Sequence, residues 1–183
     1  IKIWNMRTGE CLKTLKGHTD GILALVINND AELISGSKDK TIKIWNMKTG
    51  ECLNTLEDHK NEIDALVINN KNELVSGSRD KTIKIWDLKT GRCLRTLEGH
   101  TGTIFTLVIN NDNKLVSGSF DKTIKIWDMT TGECLKTFNG HTEAVYSLKI
   151  NHKNHLISGS WDCTIKIWNM ETGECLRTLK DHS

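Results

Sequence analysis

Apolar positions come in short runs that return at a fixed interval. Nearly continuous apolar runs span 22–27, 63–68, 104–109 and 145–150. A run of that length predicts a strand buried on both faces. Asn-rich turns follow, such as Asn28-Asn29-Asp30 and Asn69-Asn70-Lys71. A second strand centres on Leu-Val/Ile-Ser-Gly-Ser. A tight turn around Asp39, Asp80, Asp121 or Asp162 leads into a third, Thr-Ile-Lys-Ile-Trp. After a Thr-Gly turn the fourth, Cys-Leu-x-Thr-Leu/Phe, alternates apolar and polar residues, which suits a half-exposed outer edge. No segment holds a helical period. The pattern predicts an all-β chain built from four-stranded antiparallel units.

The interval is constant. Trp recurs at 4, 45, 86, 127 and 168, His at 18, 59, 100, 141 and 182, and Cys at 11, 52, 93, 134 and 175, each 41 residues after the last. Units opened at the His run 18–58, 59–99, 100–140 and 141–181. A head, 1–17, supplies only a third and a fourth strand, and His182-Ser183 forms a stub. No insertion breaks the period, so a single domain of 183 residues is expected.

Four short strands per repeat of ~40–45 residues, with Gly-His and Trp-Asp marks, form the pattern of a propeller blade. The chain resembles the WD-repeat family of β-propellers over nearly its whole length. The resemblance rests on Gly17-His18, Gly99-His100 and Gly140-His141, on four Ser-Gly-Ser-x-Asp segments, and on Trp-Asp at 86–87 and 127–128. Asp replaces Gly before His59 and His182, Asn replaces Asp after Trp4, Trp45 and Trp168, and the family's Pro-Asp-Gly turn is Asn-rich here. The resemblance implies blades around a central channel, with peptides or proteins bound at one mouth of it.

Ser, His and Asp in every unit invite a hydrolase reading. In an antiparallel meander the loops carrying the His and the Asp lie at the same end of the blade, so the two can meet in a hydrogen-bonded set with a Ser and the Trp indole. The resemblance implies that such sets lock each blade: His18–Ser35–Asp39–Trp45, His59–Ser76–Asp80–Trp86, His100–Ser117–Asp121–Trp127 and His141–Ser158–Asp162–Trp168. Ser37 could stand in for Ser35, and likewise in the other repeats. Four near-identical copies do not suit a single active site, so a structural role and no enzyme activity are expected.

Positions alike in every repeat build blades; positions that differ at loop ends are where function is sought. The third and fifth residues after each His read Gly21 and Leu23, Glu62 and Asp64, Thr103 and Phe105, Ala144 and Tyr146. The residue before each turn Asp reads Lys38, Arg79, Phe120, Trp161. Five of the ten aromatics are the repeated Trp and one, Phe138, fills an outer-strand Leu slot. The other four, Phe105, Phe120, Tyr146 and Trp161, all fall at these unlike positions. With Lys38, Glu62, Asp64 and Arg79 they form the candidate partner-binding surface. Alternatively, the rings pack on neighbouring loops or on another copy.

Charge and cysteine usage narrow the function classes. With 25 Lys and Arg against 23 Asp and Glu, the formal net charge is +2, too small for a typical nucleic-acid binder. No apolar run approaches the ~18 residues of a membrane span, and no secretory leader pattern opens the sequence. The repeated Cys sit one blade apart, too far to bridge, on an outer strand where a small apolar side chain is expected to pack. Cys163 fills the slot of Lys40, Lys81 and Lys122. Neither a Cys-x-x-Cys pair nor a phosphate-binding loop occurs, and His152-Lys153-Asn154-His155 reads as a solvated turn rather than a metal site. No cofactor is expected. Free thiols without a glycosylation sequon suit a reducing cytoplasm.

The expected function is a non-catalytic protein-interaction scaffold. A structural or self-assembling array without a specific ligand is the alternative, and an enzyme is a remote one. Four blades tapered for a larger ring would leave an open arc with two bare apolar faces. Two arcs on a two-fold axis would then make one eight-bladed ring, a homodimer. Alternatively, further repeats in a longer chain close the ring.

Overall fold

The computed structural model describes residues 1–180; Asp181 and the stub His182-Ser183 lie outside them. Eighteen strands and no helix make up these residues. The head is a hairpin of β1 (Lys2–Trp4) and β2 (Cys11–Thr14). The first blade comprises β3 (Ile22–Ile27), β4 (Leu33–Ser37), β5 (Ile42–Trp45) and β6 (Cys52–Leu56). The second comprises β7 (Ile63–Ile68), β8 (Leu74–Ser78), β9 (Ile83–Trp86) and β10 (Cys93–Leu97). The third holds β11 (Ile104–Ile109), β12 (Leu115–Ser119), β13 (Ile124–Trp127) and β14 (Cys134–Phe138). The fourth holds β15 (Val145–Ile150), β16 (His155–Ser160), β17 (Thr164–Asn169) and β18 (Cys175–Lys180). Each blade is an antiparallel meander in strand order.

Local chemistry sets the turns. The Oδ1 atoms of Asn28, Asn69, Asn110 and Asn151 each accept backbone N–H groups two and four residues on, a side-chain mimic of a backbone turn. After each Trp, the Oδ1 atoms of Asn46, Asp87, Asp128 and Asn169 accept the N–H groups two and three residues on. Either residue type offers that oxygen, so the Asp-to-Asn departures keep the turn. Asp58, in the slot before His59 that holds Gly in other repeats, accepts from Lys84 at 2.6 Å.

The core lies between blades. Val67, Val75, Ile83, Ile85 and Leu97 of the second blade pack on Ile104, Leu107, Ile109, Leu115 and Trp127 of the third. The junctions on either side repeat the pattern. The inner strands β3, β7, β11 and β15 follow one another, each against the next. The middle two are covered on both faces, as the apolar runs predict: Ile63, Leu66 and Ile68 of β7 pack toward the first blade and Ala65 and Val67 toward the third, while Ile104, Leu107 and Ile109 of β11 pack toward the second blade and Val108 toward the fourth.

Two positions in every blade carry an irregularity. In the inner strand the pairing steps from Ile22↔Ser37 to Ala24↔Gly36, leaving Leu23 as an extra residue. The same step bypasses Asp64, Phe105 and Tyr146. In the outer strand a second step bypasses Leu53, Leu94, Leu135 and Leu176. The outer strand has no layer beyond it. Four of the five repeated cysteines are therefore exposed rather than packed as small apolar groups; the half-buried Cys93 packs on the junction of the first and second blades. Each thiol donates to the carbonyl two residues on, at 3.3–3.5 Å.

Candidate functional site: the loop face that carries the His and Asp

The four blade sets have one geometry. His18 Nδ1 lies 2.7 Å from Asp39 Oδ2, and its Nε2 lies 2.7 Å from Ser35 Oγ. The Trp45 indole N–H donates to the same Ser35 oxygen at 2.8 Å. The same distances recur at His59, Ser76, Asp80 and Trp86; at His100, Ser117, Asp121 and Trp127; and at His141, Ser158, Asp162 and Trp168. One direction of donation satisfies every atom: indole N–H to Ser Oγ, Ser O–H to His Nε2, His Nδ1–H to the carboxylate. Ser37 takes a different part, donating to Gly21 O at 3.0 Å and accepting from the Asp39 N–H.

The Asp carboxylates anchor the loops. Asp39 Oδ2 also accepts the Thr19 N–H, and its Oδ1 accepts the Thr41 N–H and hydroxyl. Burial pushes its pKa up, but hydrogen bonds from Thr41, Thr19 and His18 outweigh that and hold it well below the ordinary carboxylate value. Asp80, Asp121 and Asp162 are depressed likewise. At His141 burial wins over the attraction of Asp162 and lowers the imidazole pKa.

A triad-like set needs an accessible nucleophile. Ser35, Ser76, Ser117 and Ser158 are all fully buried, and each oxygen already accepts an indole N–H. The arrangement suits holding strands and loops together more than attacking a substrate. Among the described residues no group of three or more His, Cys, Asp or Glu side chains is placed to hold a metal ion.

The unlike positions converge on the same end of the blades. Residues bypassed in the inner strand, Leu23, Asp64, Phe105 and Tyr146, are the fifth residues after each His. Such bulges re-aim a side chain, and in the second, third and fourth blades the re-aimed side chain meets the residue before the turn Asp. Phe105 stacks on Tyr146 with ring centroids 4.0 Å apart, and Tyr146 stacks on Trp161 at 4.4 Å. Phe120 stands edge-on to Phe105 at 6.3 Å and to Trp161 at 6.4 Å. All four candidate aromatics thus form one cluster across the third and fourth blades. Phe105 and Tyr146 are half-buried within it, while Phe120 and Trp161 stay 51% and 57% exposed.

The charged candidates divide. In the second blade Arg79 makes a two-point ion pair with Asp64, Nε to Oδ2 at 3.0 Å and Nη2 to Oδ1 at 3.2 Å, and also contacts Glu62. Hydrogen bonding to Asp64 raises the Arg79 pKa. Burial, with the Asp64 charge second, raises that of the Tyr146 phenol, so aromatic cluster and ion pairs adjoin. Lys38 is exposed, its stem lying over Gly21. The mostly apolar inner runs hid the bulge, because an extra residue leaves no mark on a stretch without strict alternation.

Comparison with known proteins agrees with this architecture. The WD domain, G-beta repeat family matches residues 9–46, 50–87, 91–128 and 132–169. An uncharacterized WD repeat-containing protein of Schizosaccharomyces pombe is 46% identical over 43 residues, 23% of this chain and 12% of that relative's length.

Proposed function

The chain belongs to the WD-repeat family, and on that premise we propose that it is a non-catalytic protein-interaction scaffold that binds a peptide or protein segment across the loop face carrying the His and Asp. WD repeats generally mediate protein–protein interaction, which supports the class. The observation that carries the finer reading is the aromatic cluster, with the half-exposed rings Phe120 and Trp161 beside the Arg79–Asp64–Glu62 ion pairs. Exposed aromatic rings bordered by charge favour a binding hot spot. Burial of all four network Ser oxygens argues against hydrolysis, and the net charge of +2 argues against nucleic acid. Six free cysteines fit a protein of the cytoplasm.

Selection of displayed peptides on the wild-type chain tests this reading. Enriched peptides are expected to lose binding to the Phe120→Ala/Trp161→Ala variant by at least about tenfold, the loss of one hot-spot contact of ~1.4 kcal/mol. Peptides that bind the folded double variant as well as wild type would refute it.

A further inference from the structure

The rings that bridge the third and fourth blades stand on pinned backbone. The Phe120 N–H donates to Thr103 O at 2.8 Å, and the Trp161 N–H donates to Ala144 O at 3.0 Å. Each ring is thus tied to the residue just ahead of its own blade's inner strand. Gly102 sits close against the first of them: a Cβ there would come 2.7 Å from the Asp121 backbone nitrogen and 3.0 Å from Phe120 Cβ. Tyr146 stacks on both Phe105 and Trp161. A platform fixed before binding loses little side-chain freedom when a ligand arrives.

The slot before the turn Asp stays open even between two blades. Phe120, with a blade on either side, is 51% exposed. Arg79, in the same slot of the second blade, keeps 38% of its side chain exposed. The openness of Trp161 is therefore a property of the slot, whatever stands beside the fourth blade. The Phe120 and Trp161 planes meet at 83° with centroids 6.4 Å apart, which makes a right-angled apolar corner.

The charges that flank this corner are paired with one another. Arg79 is taken up by Asp64 and Glu62, and Lys122 donates to Glu143 at 3.2 Å. A ligand charge would have to break those pairs to gain a partner. An ammonium or guanidinium binds best over an open ring face, and stacking already covers a face of Phe105, Tyr146 and Trp161. What the corner does offer is apolar ring surface and a donor. Four indole N–H groups are bonded to buried Ser oxygens, whereas that of Trp161 belongs to an exposed ring. A proline-rich segment matches this offer. Its rings are apolar, and proline has no N–H to leave unpaired. The polyproline II carbonyls have no internal partner, and the conformation is preformed, so little freedom is lost on docking.

We propose that the segment bound across this face is proline-rich and held as a polyproline II helix, with prolines in the corner between Phe120 and Trp161 and a carbonyl accepting the Trp161 indole N–H. The proposal rests on the peptide-binding reading of this face and adds the chemistry of the ligand to it.

Calorimetric titration of decaproline and of decalysine at low and high salt decides, read beside the composition of peptides selected on the wild-type chain. Decaproline is expected to bind wild type equally at both salt concentrations, and selected peptides are expected to carry paired prolines. Phe120→Ala is expected to weaken decaproline about tenfold. Trp161→Phe, which keeps a ring and loses the N–H, is expected to weaken it about fivefold. Both variants are expected to keep the wild-type urea midpoint, and the salt comparison on wild type stands whatever they do to folding. Absence of decaproline binding, a Trp161→Phe variant that binds it as well as wild type, or tighter binding of decalysine that high salt abolishes overturns the proposal. If the selected peptides then still require Phe120 and Trp161, the peptide-binding reading survives; peptides indifferent to both rings overturn both.

Discussion

Ala31 is the residue whose sequence neighbourhood and backbone disagree most plainly. It closes the turn after the first blade's inner strand with φ +58°, where Asn72, Asn113 and Asn154 stand in the other repeats with φ near +60°. A left-handed backbone costs a Cβ-bearing residue roughly 1 kcal/mol, and Asn tolerates it better. Asn72 adds bonds between blades: its Oδ1 accepts the Asn29 N–H and its Nδ2 donates to Asp30. Ala31 has no side-chain amide to make such bonds. Ala31→Asn is expected to raise the urea midpoint by up to about 1 kcal/mol of stability through backbone relief alone. An unchanged or lowered midpoint in equilibrium unfolding would show that the turn is unstrained.

The two serines of each second strand show where reading the sequence stops at this scale. Ser35 and Ser37 are two residues apart, so both point to the same side of the strand, and both are fully buried. No periodicity separates them. Register does: Ser35 pairs across from Lys43, two residues before Trp45, so the indole reaches it, while Ser37 lies against the loop of Asp20 and Gly21.

At the scale of the blade, nearly every strand was legible, because a 41-residue return with no insertion repeats each strand in register. The predicted strands all appear, within a residue or two at their ends. Missed were the two bulges, which change which side chains reach the loop face without altering the hydrophobic pattern, and the outward turn of the cysteines. Energetically the blade rests on Trp at its third strand. Trp127 is buried against Leu97 and Leu115 and donates to Ser117. Trp127→Ala is expected to cost about 3–5 kcal/mol, from the cavity and from the indole N–H bond that the buried Ser117 oxygen loses. A urea melt within ~0.5 kcal/mol of wild type would contradict the packing described for that junction.

Over the whole molecule, repeated and unrepeated positions divide the work. Residues that recur every 41 positions hold the strands, the turns and the junctions. Of those that break the recurrence, Phe105, Phe120, Tyr146 and Trp161 gather at one face as a four-ring cluster beside the ion-paired Glu62, Asp64 and Arg79. The clustering of those four aromatics was half-visible in the sequence, since all fell at unlike positions. Their mutual stacking was not, because it joins two blades through a bulge. The rings therefore both pack on one another and present two open edges, so the alternatives posed by the sequence are not exclusive. The six tryptophan indoles report on both halves of the account in one experiment: a proton–nitrogen correlation spectrum followed in deuterated buffer and then during addition of a peptide selected on the wild-type chain. The indole N–H groups of Trp45, Trp86, Trp127 and Trp168, each bonded to a buried Ser, are expected to resist exchange and to keep their positions. Trp161, 57% exposed, is expected to exchange at once and to be the indole that shifts as peptide is added. Rapid exchange at all six, or a peptide that moves the four buried indoles and leaves Trp161 in place, would contradict it.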